Sequence, residues 1–199
     1  MRQYMSKLIL ASSSPYRKML LQRLDIAFSC YSPNIDESPD PIETPEALAQ
    51  RLATEKAKTV AEKFPGAIVI GSDQVAELNG QMLGKPGNHQ RAQQQLRAQS
   101  GQTLLFHTGL ALVQQLADGN IKQIQLVDTT QVSFRQLDNH QIERYLEREQ
   151  PYDCAGSFKA EGLGISLFKG VSSQDPSSLI GLPLISLCTA LREFDMDVL

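Results

Sequence analysis

Leu8-Ile-Leu-Ala-Ser-Ser-Ser-Pro-Tyr-Arg-Lys-Met-Leu-Leu21 sets a short apolar strand directly against a serine-rich turn and a basic helix start. Pro15 fits the first helical position, where its missing N–H costs nothing, and Ser14 is suited to cap the helix in front of it. Free N–H groups, serine hydroxyls and the side chains of Arg17 and Lys18 then converge near one helix N-terminus. An anion placed there meets donors, a helix dipole and a cationic fork together. A plain strand-to-helix connection with a good cap has the same local pattern, so the distinction between the two rests on the rest of the chain.

Outward from this stretch, strand-like and helix-like patterns alternate: strand near 7–11, helix near 15–24, strand near 26–31, helix near 44–63 and strand near 67–72. That alternation predicts an α/β sheet. The segment 33–45, rich in Pro, Asp, Glu and Ser, reads as a functional or mobile loop, and Thr44-Pro45 starts the next helix. In that helix Leu48, Leu52, Val60, Ala53 and Ala57 form the apolar stripe, and Lys56 falls nearer the buried side than its charge suggests. Asn79-Gly80 between short apolar runs is a strong hairpin signal, one that folds the Lys85 region back toward Asp73. Asn88 caps a glutamine-rich helix ending near Gly101. Residues 102–134 read as two long antiparallel strands joined around Asp118-Gly119. A helix near 138–148, a glycine-punctuated segment over 155–164 and an apolar helix over 183–194 complete the chain. No internal repeat or dividing linker is visible.

The composition of these 199 residues is ordinary for a globular protein, 41% hydrophobic and 21% charged, with length for one sizeable core. With 22 acidic and 19 basic residues, a net charge of -3 offers no general attraction to nucleic acid or an anionic membrane. A small polyanion held by a few local cations remains compatible. Cys30, Cys154 and Cys188 are odd in number and lack paired zinc-ligand spacing, which reads as free thiols in a reducing compartment. His89, His107 and His140 are scattered and form no metal-ligand pair. The apolar run at the N-terminus is too short for a signal-peptide core, and no segment approaches membrane-spanning length. The expectation is a cytoplasmic protein.

Asp73 is the foremost catalytic candidate, because Ala67-Ile-Val-Ile-Gly-Ser-Asp-Gln74 reads as a buried strand with a carboxylate at its carboxyl end. Ligands of α/β sheets collect at that end, although a strand-end Asp capping a turn looks the same. Asp36 and Glu37, in the acidic loop, bring further carboxylate if the loop folds over the sheet edge; otherwise they are solvated loop charges. Carboxylates meeting beside a polyphosphate are natural Mg²⁺ or Mn²⁺ ligands. Arg17, Lys18, Lys56, Lys85 and Lys159 supply the cations that a triphosphate needs. In Gly84-Lys85-Pro86, glycine allows close approach and proline stiffens the loop that aims the ammonium.

In these segments the chain resembles the Maf-like nucleotide pyrophosphatase family, in particular its YceF-type branch. The resemblance is carried by Leu10-Ala-Ser-Ser-Ser-Pro-Tyr-Arg-Lys18, Asp36-Glu37, Glu55-Lys56-Ala57, Gly71-Ser-Asp-Gln74, Gly84-Lys85-Pro86 and Cys154-Ala-Gly-Ser-Phe-Lys-Ala-Glu-Gly162, in order along most of the chain. It implies one domain over 1–199, with residues 1–6 as a flexible N-terminal extension. The implied fold is an elongated mixed sheet flanked by helices, with two lobes around a central cleft, similar to that of the inosine triphosphate pyrophosphatases. The implied activity is metal-dependent hydrolysis of a modified nucleoside triphosphate to the monophosphate and pyrophosphate, with Mg²⁺ or Mn²⁺ as cofactor and a homodimer as the assembly.

Position by position, the resemblance makes Asp73 the proton acceptor, with Glu37 and Lys85 as catalytic partners. Ser14, Arg17, Lys56 and Lys159 become substrate-binding residues, and Glu37 and Asp73 metal ligands. Lys18 stands where the family motif has a second arginine; it keeps the charge but loses the bidentate fork. Tyr16, Gln74 and Glu161 occupy the specificity positions and match the branch associated with 7-methyl-GTP. A carboxylate at Glu161 accepts from both N1–H and the exocyclic amine of guanine, and Tyr16 or Phe158 offers a ring to stack on a cationic base. Two alternatives stand beside it: the same reaction on dTTP, UTP or another non-standard nucleotide, and a nucleotide-binding regulator of cell division.

Overall fold

A computed structural model describes residues 8–199; the segment 1–6, expected as an N-terminal extension, lies outside the described residues. Seven strands form one mixed sheet: β1 (Leu8–Leu10), β2 (Phe28–Cys30), β3 (Ile68–Leu78), β4 (Gln81–Leu83), β5 (Thr103–Gln115), β6 (Ile121–Phe134) and β7 (Phe168–Ser172). Their order is β2-β1-β3-β5-β6-β7, with β4 paired to β3. β1 runs parallel to β2 and β3, and every other pairing is antiparallel. The helices are α1 (Pro15–Gln22), α2 (Pro45–Ala61), α3 (His89–Gln99), α4 (Asn139–Glu149) and α5 (Leu184–Glu193).

Period-two alternation along the strands sorts the core. Leu8, Leu10, Ile68, Ile70, Leu110 and Leu112 face one side and pack with Leu20 and Leu21 of α1 and Leu187 and Leu191 of α5. Ile9, Val69, Ala111 and Val113 face the other and meet Ala53, Ala57 and Val60 of α2. Each large side chain so buried contributes roughly 1.5–3 kcal/mol. At the far end of the same strands, on the α1/α5 side, Ala76, Leu78, Leu104, Phe106, Val132 and Phe134 form a second core with α3, α4, Phe158 and Phe168. The two lobes are thus the two ends of one sheet.

α2 lies unusually close to the sheet. A Cβ at Gly71 would stand 2.0 Å from the Ala53 carbonyl oxygen, and one at Gly109 would stand 2.2 Å from that of Ala49. Only glycine fits at either place, and the close approach carries Lys56 down to the edge of β3.

The expected elements recur with small shifts of boundary. Asp73 does not end a strand: β3 continues to Leu78, because β5 pairs with it from Ile68 to Glu77. The strand β7 had no counterpart in the sequence reading. Phe158, offered as a stacking ring, borders the cleft but is only 5% exposed, in T-shaped contact with Phe106, Phe134 and Phe168.

Candidate active site

The site is a gap in the edge of β3. On that edge β1 pairs with Ile68–Ile70 and β4 with Ala76–Leu78, which leaves residues 71–75 between two partner strands. A cleft of about 750 Å³ opens there. Ser14, Tyr16, Arg17, Glu37, Lys56, Asp73, Gln74, Lys85, Lys159 and Glu161 all line it, so ten of the residues that the sequence put forward meet at one place.

Lys18 does not. It borders a separate shallow depression with Gln22 and Asp25, because successive helical residues point about 100° apart and the turn that aims Arg17 inward aims Lys18 away. The expected convergence of both cations on an anion is therefore corrected to Arg17 alone. Asp36 also stays outside: it is exposed and accepts from the Ser38 amide at 2.9 Å, closing a local turn.

Side chains alternate across the gap. Asp73 faces α2, where its Oδ1 lies 2.6 Å from Lys56 Nζ, and the same ammonium lies 2.6 Å from Glu37 Oε1. Lys56 is 6% exposed, which its neutral-looking helix face foreshadowed. The hydrogen bond from Lys56 holds the Glu37 carboxyl below its ordinary range. From the opposite face Arg17 Nη2 comes within 3.9 Å of Asp73 Oδ1, while its Nε donates to the Gly181 carbonyl at 2.9 Å. Burial lowers the Arg17 pKa, and Asp73 and Glu37 oppose that shift. Ser14 caps α1 as expected, its Oγ accepting from the Arg17 amide at 3.4 Å.

The acidic loop, read as functional or mobile, is tied down by a residue that the sequence did not single out. Arg51 pairs with Glu43 at 2.8 Å and donates to the Ser38 carbonyl at 3.0 Å, which fastens the loop to α2 and delivers Glu37 to Lys56. An i, i+8 acid–base pair across a helix start was the available signal. The β3–β4 hairpin at Asn79-Gly80 returns Lys85 to the cleft, exposed and close enough for its charge to act on Glu37.

Tyr16, Asp153, Cys154, Lys159 and Glu161 also line the cleft. Burial raises the Tyr16 pKa, and Cys154, Glu161, Asp153 and Glu149 add to the rise. Lys159 Nζ leans toward the end of α4, 3.4 Å from the Glu149 carbonyl and 3.9 Å from its Oε1. Acids thus gather around Tyr16, with Lys159 among them, while Arg17 and Lys56 meet Asp73.

Among the described residues no cluster of three or more His, Cys, Asp or Glu side chains forms a metal site. Two carboxylates do converge, Glu37 and Asp73 on one ammonium, and one or two carboxylates completed by substrate phosphates is a donor set that Mg²⁺ commonly takes. The residues present fit a phosphate-borne divalent ion. Among the described residues no helix is long and apolar enough to cross a membrane.

The chain is 56% identical to a 7-methyl-GTP pyrophosphatase of Xanthomonas axonopodis pv. citri over 194 residues, covering 98% of this chain and 100% of that one. It is also 56% identical to a protein of the same name from Nitrosococcus oceani, covering 96% of this chain and 95% of that one. Among solved structures, a HAM1 protein from Coxiella burnetii shares the fold, with a TM-score of 0.53 at 18% identity, covering 95% of this chain and 100% of that one. A family model described as Maf-like protein matches residues 7–194, and the chain belongs to that family.

Proposed function

We propose that this protein hydrolyses a modified nucleoside triphosphate, 7-methyl-GTP foremost, to the monophosphate and pyrophosphate. The observation that carries the proposal is the division of charge in the cleft: Arg17 and Lys56 meet Asp73 while Lys85 acts on Glu37, and the charges of Glu161 and Asp153 act on Tyr16. A triphosphate suits the first group and a cationic, donor-bearing base the second. The names of the relatives point the same way.

Attack at the α-phosphorus releases pyrophosphate. Asp73 orients the attacking water and takes its proton, while Arg17, Lys56 and Lys85 offset the charge that develops on the phosphate oxygens. The rate then comes from positioning and electrostatic stabilisation, since phosphoryl-type transition states leave little covalent work to the protein. Glu37 and Asp73 would hold a Mg²⁺ or Mn²⁺ ion carried in on the phosphates. Such an ion supplies further charge neutralisation at the phosphate oxygens. With the nucleotide bound, Lys56 exchanges part of its carboxylate pairing for phosphate.

The test is hydrolysis of 7-methyl-GTP, GTP, dTTP and UTP with Mg²⁺, with Mn²⁺ and with chelator, identifying the released product. Pyrophosphate from 7-methyl-GTP, lost on chelation, is the expected result. Orthophosphate as product refutes the reaction, preference for dTTP or UTP refutes the base, and tight binding without turnover favours the regulatory alternative.

A further inference from the structure

Gln74 lines the cleft next to Asp73, but its amide is not free to choose a direction. Nε2 lies 2.9 Å from the Ser178 carbonyl oxygen, 3.1 Å from that of Leu179 and 3.0 Å from Thr108 Oγ1. Two of these three are backbone carbonyls, which only accept. Turning the amide over would set oxygen against oxygen. The third, the Thr108 hydroxyl, spends its own proton on the Ser178 carbonyl at 2.9 Å, so it turns a lone pair toward Gln74. Thr108 is fully buried on β5 opposite Gln74.

The segment 175–182 that supplies the carbonyls is itself anchored. Ser72 Oγ and Arg17 Nε both donate to the Gly181 carbonyl at 2.9 Å. Buried Asp175 accepts from the Ser177 amide at 2.9 Å and from the Ile185 amide at 2.6 Å. Oε1 is therefore the one end of the Gln74 amide left for a ligand.

We infer that Thr108 is a positioning residue which, with the Ser178 and Leu179 carbonyls, fixes Gln74 as a pure acceptor toward the cleft, so that the site takes a base bearing two adjacent N–H donors. This rests on the nucleotide reading of the cleft given above. The second acceptor is Glu161, on the same cleft. Guanine presents N1–H beside its exocyclic amine and meets two acceptors. Uracil and thymine set a single N–H between two carbonyl oxygens and meet one acceptor with repulsion, and adenine and cytosine offer only an amine. Once a bound base shuts water away from these acceptors, one left facing an oxygen is costly, and that cost gives such sites their discrimination.

The experiment compares wild type, Thr108→Val and Thr108→Ser in steady-state hydrolysis of GTP, 7-methyl-GTP, dTTP and UTP. The exchange of the Gln74 side-chain amide protons is followed in parallel by ¹⁵N NMR. Valine keeps the shape but cannot accept from Gln74; serine keeps the hydroxyl and controls for packing. In Thr108→Val, KM for the guanine nucleotides should rise about tenfold with kcat changed by less than about twofold. KM for UTP should not rise in step, the Gln74 amide should lose protection, and serine should restore both. Unchanged discrimination in Thr108→Val overturns the inference, as does an amide that exchanges freely in wild type. If wild type hydrolyses none of the four nucleotides, the nucleotide reading fails by itself. The exchange comparison then still decides whether Thr108 locks the amide.

Discussion

Lys56 Nζ and Asp73 Oδ1 meet at 2.6 Å in the stretch of β3 that neither β1 nor β4 covers. Both side chains are mostly withdrawn from water, at 8% and 13% exposure. The pair therefore tests site and fold together. Asp73→Asn keeps the shape and removes charge and basicity, and turnover should fall about a thousandfold, measured as pyrophosphate release. Near-normal turnover removes Asp73 from the mechanism. Lys56→Met leaves a buried carboxylate without its ammonium and should cost about 3 kcal/mol in urea unfolding.

Glu37 links stability to pH. Its folded-state pKa lies below the ordinary 4.5 because Lys56 donates to the carboxylate. The ionised form therefore stabilises the fold at pH values above 4.5, and that contribution disappears as pH falls through the depressed value. Glu37 is 58% exposed, so solvent screens its side of the pair, and Glu37→Gln should cost less than about 1 kcal/mol at neutral pH. The gap between variant and wild type should close in acid, and urea unfolding at pH 7 and pH 3 checks it. A gap that widens in acid reverses the assignment.

Gly71 and Gly109 set the height of α2 above the sheet. Gly71→Ala or Gly109→Ala must lift the helix, since the added methyl would fall 2.0 Å or 2.2 Å from a backbone oxygen. Either should lose at least about 2 kcal/mol of stability, and because Lys56 rides on α2, KM for the nucleotide should rise in any variant that still folds. Alanine at exposed Gly84, where an added Cβ touches nothing, serves as the neutral control for stability.

Cys154 lines the cleft with its thiol pKa pushed up to about 12, mainly by burial. The thiolate is the reactive form, so iodoacetamide at pH 7.5 should label exposed Cys30 well before Cys154. Peptide mass spectrometry reads the order. Bound nucleotide should slow Cys154 further and leave Cys30 unchanged.

Local chemistry was legible wherever it depended on near neighbours. The Ser14-Pro15 helix start, the Thr44-Pro45 start of α2 and the Asn79-Gly80 hairpin each follow from a few adjacent residues. The buried place of Lys56 follows from helical period. What escaped depends on distant pairing. Asp73 looked like a strand end because its apolar run stops there, whereas β3 is carried on to Leu78 by β5. The segment 175–182 carries no periodic signal, and its tie to Ser72, Gln74 and Thr108 spans from 70 to 109 positions. Sequence likewise could not reveal that three other phenylalanines pack against Phe158. Lys18 is different: the 100° step from Arg17 was readable in principle, and it separates the two cations.

Because β3 and β5 run through both cores, the two lobes share unbroken strands rather than a linker. Any tightening around a nucleotide has to come from added twist along shared strands or from loop movement. Strand stiffness thereby limits how far the mouth can travel, and the molecule behaves as a sprung clamp cut from one sheet rather than as two jaws on a pivot.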